Sequence, residues 1–218
     1  MKKLTFAIAL LTCSAGAATA QTGKIELGAQ GGASVVSLWG NDILAKSKAT
    51  AGFSGGLFVQ YNLLDYLAIR VDPGFERKGS LMNLQGIDQN GNSVGQVRYY
   101  TNLDYLTLPV LVRFSFGDKI RFFANAGPYA AYLASASQVT RGDKTFEKHQ
   151  GNMDNFRRYD FGITSGAGIT ATVFEKIALS LEIRNSLGLT DISTGPVVNN
   201  GKIHTNSTGL LAGVAWKI

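Results

Sequence analysis

The sequence predicts an all-β protein, an eight-stranded antiparallel up-and-down transmembrane β-barrel. Apolar residues alternate with small or polar ones over segments long enough to cross a hydrocarbon layer when tilted. Glycine is abundant, with 26 residues, and proline is rare, with 4. The predicted connections alternate between long and short, and the short turns recur about every 55 residues, as in a barrel with tight turns on one side.

The first twenty residues are expected to lie outside this barrel. The pair Lys2-Lys3 begins a short apolar run, and the small residues 18–20 precede Gln21. This pattern is typical of a secretory signal peptide, and its apolar run is too short to span a bilayer. Residues 21–218 then form one domain without cysteine, because Cys13 lies in the signal peptide. An exported chain without a disulfide suits a bacterial envelope.

Charge and hydropathy exclude two other classes of protein. The formal net charge of +6 falls by two when Lys2 and Lys3 are removed, and no cluster of arginine and lysine accompanies it. We therefore expect no nucleic acid partner. After the signal peptide, no apolar run reaches the length of a membrane-spanning helix.

Strands one to three are predicted at 24–38, 53–61 and 67–77. Each alternates at period two, as when Leu27 and Ala29 face one way and the glycine and glutamine beside them face the other. A polar loop at 39–52 separates the first two strands. A tight turn at 62–65 joins the second to the third.

Strands four and five are predicted at 97–115 and 120–133, after a long loop at 78–96. The apolar parity of strand four shifts between Tyr105 and Leu106, which indicates a bulge. The turn at 116–119 contains glycine and aspartate.

Strands six and seven are predicted at 159–173 and 177–187, after a third long loop at 134–158. A short turn at 174–176 joins them. A fourth long loop, at 188–202, leads to the last strand.

The last strand, at 203–218, is expected to close the barrel by pairing with 24–38, because an open edge invites aggregation. Barrel-insertion machinery is expected to recognise this strand. One of its faces is expected to contact lipid and carries Leu210, Ala212, Val214, Trp216 and Ile218.

Two observations favour lipid outside the barrel over water. Aromatic residues flank the short turns, as in an interfacial girdle. The opposite face is rich in small residues, and its charges balance, as a buried network requires. This predicted lumen network consists of Glu26, Asp72, Glu76, Asp160 and Glu182 against Arg70, Arg113, Arg121, Arg184 and Lys217.

Four segments of the chain read LAIRVDPGFERKG at 67–79, NLDYLTLPVLVR at 102–113, AGPY at 126–129 and LSLEIRNSLGLTDI at 179–192. Together they resemble one family, the PorT-like outer-membrane β-barrel proteins of Bacteroidota. The resemblance covers nearly all of residues 21–218. It implies an outer-membrane barrel and carries no catalytic motif.

Other chemistry has weaker support. A lipid-modifying hydrolase would need His149 or His204 beside a serine, and Ser207 is close to His204 in sequence. The segment 88–92 resembles a calcium loop, but its glycine is one position early, and a turn is favoured. A charged lumen is compatible with a narrow diffusion pore, although side chains nearly fill a barrel of eight strands.

The sequence therefore predicts a non-enzymatic integral outer-membrane protein without a cofactor, catalytic residue or metal site. Its four long loops are expected to face outward and bind a protein or glycan ligand. Its other expected partner is the lipid of the outer membrane.

Overall fold

The protein forms a ring of antiparallel strands. The computed structural model describes residues 25–41, 44, 47–87, 93–141, 146–150, 153–195 and 201–218. The signal peptide expected at 1–20 lies outside them. The strands are β1 Ile25–Trp39, β2 Thr50–Leu64, β3 Leu67–Val71, β4 Gly74–Ile87, β5 Ser93–Phe116, β6 Ile120–Arg141, β7 Phe146–Gln150, β8 Tyr159–Phe174, β9 Ile177–Gly188 and β10 His204–Lys217. A short 3-10 helix covers Met153–Asn155.

The ring closes between β1 and β10, as the sequence predicts. Their register runs from Glu26 opposite Lys217 to Trp39 opposite His204. The other edge of β1 pairs with β2. β3 and β4 follow one another in the same place between β2 and β5, so together they count as one strand of the ring. β7 pairs only with β6 and lies outside the ring. The ten strands therefore make a ring of eight. The predicted eight-stranded barrel is confirmed.

The single strand predicted at 67–77 is wrong in one respect, because β3 and β4 are separate strands. Pro73 has no N–H to donate to the ladder. At the break, the amide of Asp72 donates to the carbonyl of Pro109 at 3.1 Å, and that of Leu57 donates to the carbonyl of Pro73 at 3.0 Å. The wall therefore stays connected there through isolated hydrogen bonds.

The predicted bulge lies on the neighbouring strand. Asp104 is opposite Ser135 and Tyr105 is opposite Leu133, so Ala134 of β6 is the extra residue. β5 keeps its parity, and both Leu103 and Tyr105 are buried inside the barrel. The bulge was predicted on the wrong strand because the apolar residues Leu103 and Tyr105, which point into the lumen, resemble in sequence a switch of the lipid-facing side of β5.

The prediction of long loops at 78–96 and 134–158 is wrong, because much of each segment is β-strand. β4 and β5 continue as a hairpin that pairs as far as Ile87 opposite Ser93. β6 continues to Arg141 and pairs there with β7. Neither β2 nor β8 follows them, since their ladders end at Glu76 and Tyr132. Residues 80–87, 93–102, 135–141 and β7 thus form a four-stranded sheet beyond the ring, which we call the protruding sheet.

The outer surface is apolar between two rings of aromatic side chains. Residues of the last strand's predicted lipid face, such as Leu210 and Trp216, are exposed there. On β6, Tyr132 and Phe122 belong to opposite rings and are ten residues apart. In a strand tilted by about 40°, ten residues correspond to a height of about 25 Å along the barrel axis. That height matches the apolar band of an outer-membrane barrel. Among the described residues, no helix is long and apolar enough to cross a membrane.

Candidate functional site

The lower lumen contains a chain of ion pairs that joins β3 to β9. Arg70 Nε donates to Asp72 Oδ1 at 2.7 Å, and Asp72 Oδ2 is 2.9 Å from Arg184 Nη2. Arg184 Nε in turn donates to Glu182 Oε1 at 2.6 Å. Gln30 accepts from Arg70 and donates to Asp72 Oδ2 at 2.9 Å. All four charged side chains are buried, so each depends on an opposite charge.

Arg113 is held differently, by neutral groups and an aromatic face. Its guanidinium donates to Thr170 Oγ1 at 2.8 Å and to Gln60 Oε1 at 3.3 Å. Its Cζ lies 3.5 Å from the centroid of the Phe123 ring, a cation–π contact. Within the described residues, its Nε and the Oδ1 of Asn125, its cross-strand neighbour, have no hydrogen-bond partner.

A second polar group, the Lys78 cluster, lies higher in the lumen and consists of Lys78, Tyr129, Asp160, Thr190 and Thr205. Lys78 Nζ donates to Tyr129 at 2.9 Å and to Asp160 Oδ2 and Thr205 Oγ1, both at 3.1 Å. Asp160 also accepts from Tyr129 at 3.0 Å, Thr205 at 2.7 Å and Thr190 at 2.9 Å. The cluster links β4, β6, β8 and β10 across the barrel.

The sequence interpretation missed Lys78 because it assigned that residue to a loop. The signal was its place two residues after Glu76, on the same face of an alternating segment. Glu76 Oε2 is 3.7 Å from Lys78 Nζ. With Lys78 included, four buried cations face four buried carboxylates. They are Arg70, Lys78, Arg113 and Arg184 against Asp72, Glu76, Asp160 and Glu182.

Three of the ten predicted network residues lie at the short-turn mouth and not in the buried lumen. Glu26 accepts from the amide of Asn62 at 3.0 Å. Lys217 donates to Thr172 Oγ1 at 3.1 Å, and Arg121 donates to the carbonyl of Asp65. The other seven are buried in the lumen, namely Arg70, Asp72, Glu76, Arg113, Asp160, Glu182 and Arg184.

The long-loop end of the lumen is apolar, which the sequence interpretation did not expect. We call this cluster the apolar plug. Its buried members are Leu38, Leu103, Tyr105, Tyr129, Ala131, Leu133, Ala136 and Ile192, and Leu44, Met153, Phe156 and Ile203 pack against them. Below the plug, a cavity of about 40 Å³ beside Asp72, Glu76 and Arg184 has room for only a few water molecules.

Asp191 fastens the segment that carries Ile192 into the plug. Its Oδ1 accepts from the amides of Ile203 at 3.0 Å and Ser193 at 3.1 Å, and from the Ser193 hydroxyl at 2.8 Å. Burial raises the pKa of Asp191, but these hydrogen bonds and the charge of Arg157 outweigh it, so the pKa lies below its ordinary value.

His204 does not form a hydrolase site with Ser207. His204 lies on the outer face, where its ring stacks on Trp39 with centroids 4.7 Å apart. Ser207 is buried on the inner face of the same strand. For His149, the structure describes only the backbone, opposite Gln138. The calcium-like segment 88–92 lies outside the described residues, among which no cluster of His, Cys, Asp or Glu could hold a metal ion.

The comparison with protein families agrees with this architecture, and several solved structures are similar to this chain. The model of one family, described as outer membrane protein beta-barrel domain, matches residues 19–194. Neisserial surface protein A is 13% identical, with 91% of this chain and 100% of that chain covered and a TM-score of 0.49. Ail of Yersinia pestis is 10% identical, with 90% and 100% covered and a TM-score of 0.42. OprG of Pseudomonas aeruginosa is 12% identical, with 90% and 97% covered and a TM-score of 0.43. No curated protein sequence matches the chain.

Proposed function

We propose, from the premise that this chain belongs to the outer membrane protein β-barrel domain family, that it is a non-enzymatic membrane scaffold displaying a binding surface outside the cell. In barrels of the bacterial outer membrane, short turns face the periplasm and longer connections face outward. The protruding sheet is then extracellular. Residues 1–20 serve as the signal peptide for export.

The observation that carries the proposal is the unpaired edge of the protruding sheet. On β4, the bridge between Lys48 and Leu81 is the last contact on the side away from β5, as far as the structure describes the chain. The edge at 82–84 and the outer edge of β7 therefore present backbone donors and acceptors that no other strand of the described residues pairs with. Such edges accept an added strand from a protein partner.

Leu84→Lys should abolish binding by strand addition, because a charged side chain on an edge strand opposes pairing with another chain. Leu84 is 47% exposed, so the barrel itself should be unaffected. The measurement is adherence of producing cells to surfaces and to one another, beside the amount of heat-modifiable protein in outer membranes. Leu189→Lys, at a residue 52% exposed outside the protruding sheet, is the matched control. Equal adherence of both variants and wild type would contradict the proposal.

Two observations support a structural role for the lumen. Among the described residues, every buried charge except that of Arg113 is used in an ion pair, and the apolar plug covers these charges at the long-loop end. Ser207, the serine close to His204 in sequence, is buried on the opposite face of β10, which supports a non-enzymatic protein.

We also propose that the chain belongs to the PorT-like branch found in Bacteroidota. Three of the segments that carry the resemblance meet in the wall, because Pro73 adjoins Pro109, which lies opposite Tyr129 next to Pro128. The three motifs are thus neighbours in the folded protein and form one continuous part of the wall, which supports the proposal.

The purified barrel is expected to show no conductance steps in planar bilayers, since the plug and the Lys78 cluster fill the lumen. Tyr105→Ala, which removes a fully buried plug side chain, is expected to admit brief openings. A trimeric porin in the same bilayers serves as the positive control. Regular steps from the wild-type protein would establish the narrow pore instead.

A further inference from the structure

An ion pair lies on the outer surface of the barrel wall, where lipid is expected. Arg77 of β4 is directly opposite Asp104 of β5, and its Nε and Nη2 donate to the two carboxylate oxygens at 2.6 and 2.9 Å. The side chains are 34% and 18% exposed. A charge facing lipid is costly at the midplane of the bilayer and costs little near the interface, so its position needs a reason.

Arg77 is placed at the outer boundary of the apolar band. It follows the short turn at Leu67 by ten residues, which correspond to about 25 Å of height at a tilt of about 40°. Its Cζ is 5.0 Å from the centroid of the Phe53 ring, which stacks on Phe75 at 5.2 Å. The Nη1 edge of the guanidinium makes no hydrogen bond with any residue that the structure describes.

An apolar groove lies next to this pair, on the side towards the centre of the membrane. It forms at the break between β3 and β4, where Gly55 contributes no side chain opposite Phe75. Its walls include Leu57, Pro73, Leu106 and Leu108. Phe75 is two residues from Arg77, a distance of about 7 Å along the strand. The surface thus offers a shallow apolar groove for one hydrocarbon chain and, two residues further along β4, the donors of Arg77 for an anion.

We propose that this groove binds lipid A, the phosphorylated and acylated disaccharide of the outer leaflet. One acyl chain lies over Gly55 between Leu57 and Leu106, and a phosphate accepts hydrogen bonds from the Nη1 edge of Arg77. Asp104 holds the guanidinium in place by its other edge, so the donors are preorganised. The inference rests on the proposed orientation in the outer membrane.

The test measures lipid binding to purified full-length protein by native mass spectrometry. The probes are synthetic bisphosphorylated lipid A and phosphatidylglycerol. Arg77→Gln should weaken lipid A binding about tenfold or more, the expected loss for one charge-assisted hydrogen bond. Gly55→Leu should also weaken it, by filling the groove. The nearest backbone atom to an added Cβ, the carbonyl oxygen of Gln30, is 3.2 Å away. Leu57→Trp fills the same groove without touching the backbone.

Matched controls separate lipid binding from folding. Ala167→Leu places a leucine on the outer face of β8, away from the groove, and Arg158→Gln removes an exposed charge elsewhere. Neither should change lipid A binding. Asp104→Asn should leave it equal or tighter, because the phosphate no longer competes with a carboxylate. Equal binding of phosphatidylglycerol, or unchanged binding in Arg77→Gln, would overturn the lipid site. Failure of the wild-type protein to reach outer membranes would instead overturn the proposed function.

Discussion

Lys78→Met is expected to destabilise the barrel by about 3–5 kcal/mol, the usual cost of removing one partner from a buried ion pair. Both side chains of the Lys78–Asp160 pair are fully buried. Without the ammonium, Asp160 keeps its hydrogen bonds from Tyr129, Thr190 and Thr205 but loses the one ion pair that it makes with a described residue. Urea unfolding in detergent micelles, followed by fluorescence of Trp39 and Trp216, measures the loss.

Removing both charges should restore much of this stability. In Lys78→Met with Asp160→Asn, the amide still accepts from Tyr129 and Thr205 and carries no charge, so only the longer 3.7 Å contact of Glu76 with Lys78 is lost without compensation. Lys119→Met, in the exposed turn before β6, is the control and should unfold like wild type. A Lys78→Met barrel as stable as wild type would mean that the pair has little energetic role.

The local parts of the fold were predictable because strand alternation depends only on neighbouring residues. The sequence interpretation placed Leu210 and Trp216 outside and paired the last strand with the first, and the structure confirms both. Alternation alone could not show whether an apolar residue points into the lumen or towards lipid. Leu103 and Tyr105 point into the lumen because they pack in the apolar plug, against residues that are distant in sequence.

For the lumen network, the sequence could predict the balance of charge and several members, but not which residues pair with one another. Parity identified Arg70, Asp72 and Glu182, but the choice of partners depends on which strands lie across the barrel. Lys78 was missed because hydrophilic alternation near a strand end resembles a loop. The break at Pro73 was also hidden, since a proline in a strand is compatible with an edge, a bulge or an interruption.

Gly32→Val is expected to prevent closure of the barrel and to leave little heat-modifiable protein in the outer membrane. Gly32 of β1 lies opposite Leu211 of β10, in the register that closes the ring. A Cβ added at Gly32 would overlap the carbonyl oxygen of Leu210. This atom belongs to the ladder itself and cannot rotate away as a side chain would. The cost should therefore exceed the typical ~1–3 kcal/mol of overpacking.

The neighbouring residue provides the matched control for this prediction. Gly31 points to the outer surface, and a Cβ added there would be 3.5 Å from the nearest atom, the carbonyl oxygen of Ser54. Gly31→Val should accumulate in outer membranes like wild type, although it has the same change in β propensity and bulk. Equal accumulation of both variants would show that the β1–β10 seam tolerates expansion. A defect in Gly32→Val alone would show that close approach of the two backbones is what closes the ring.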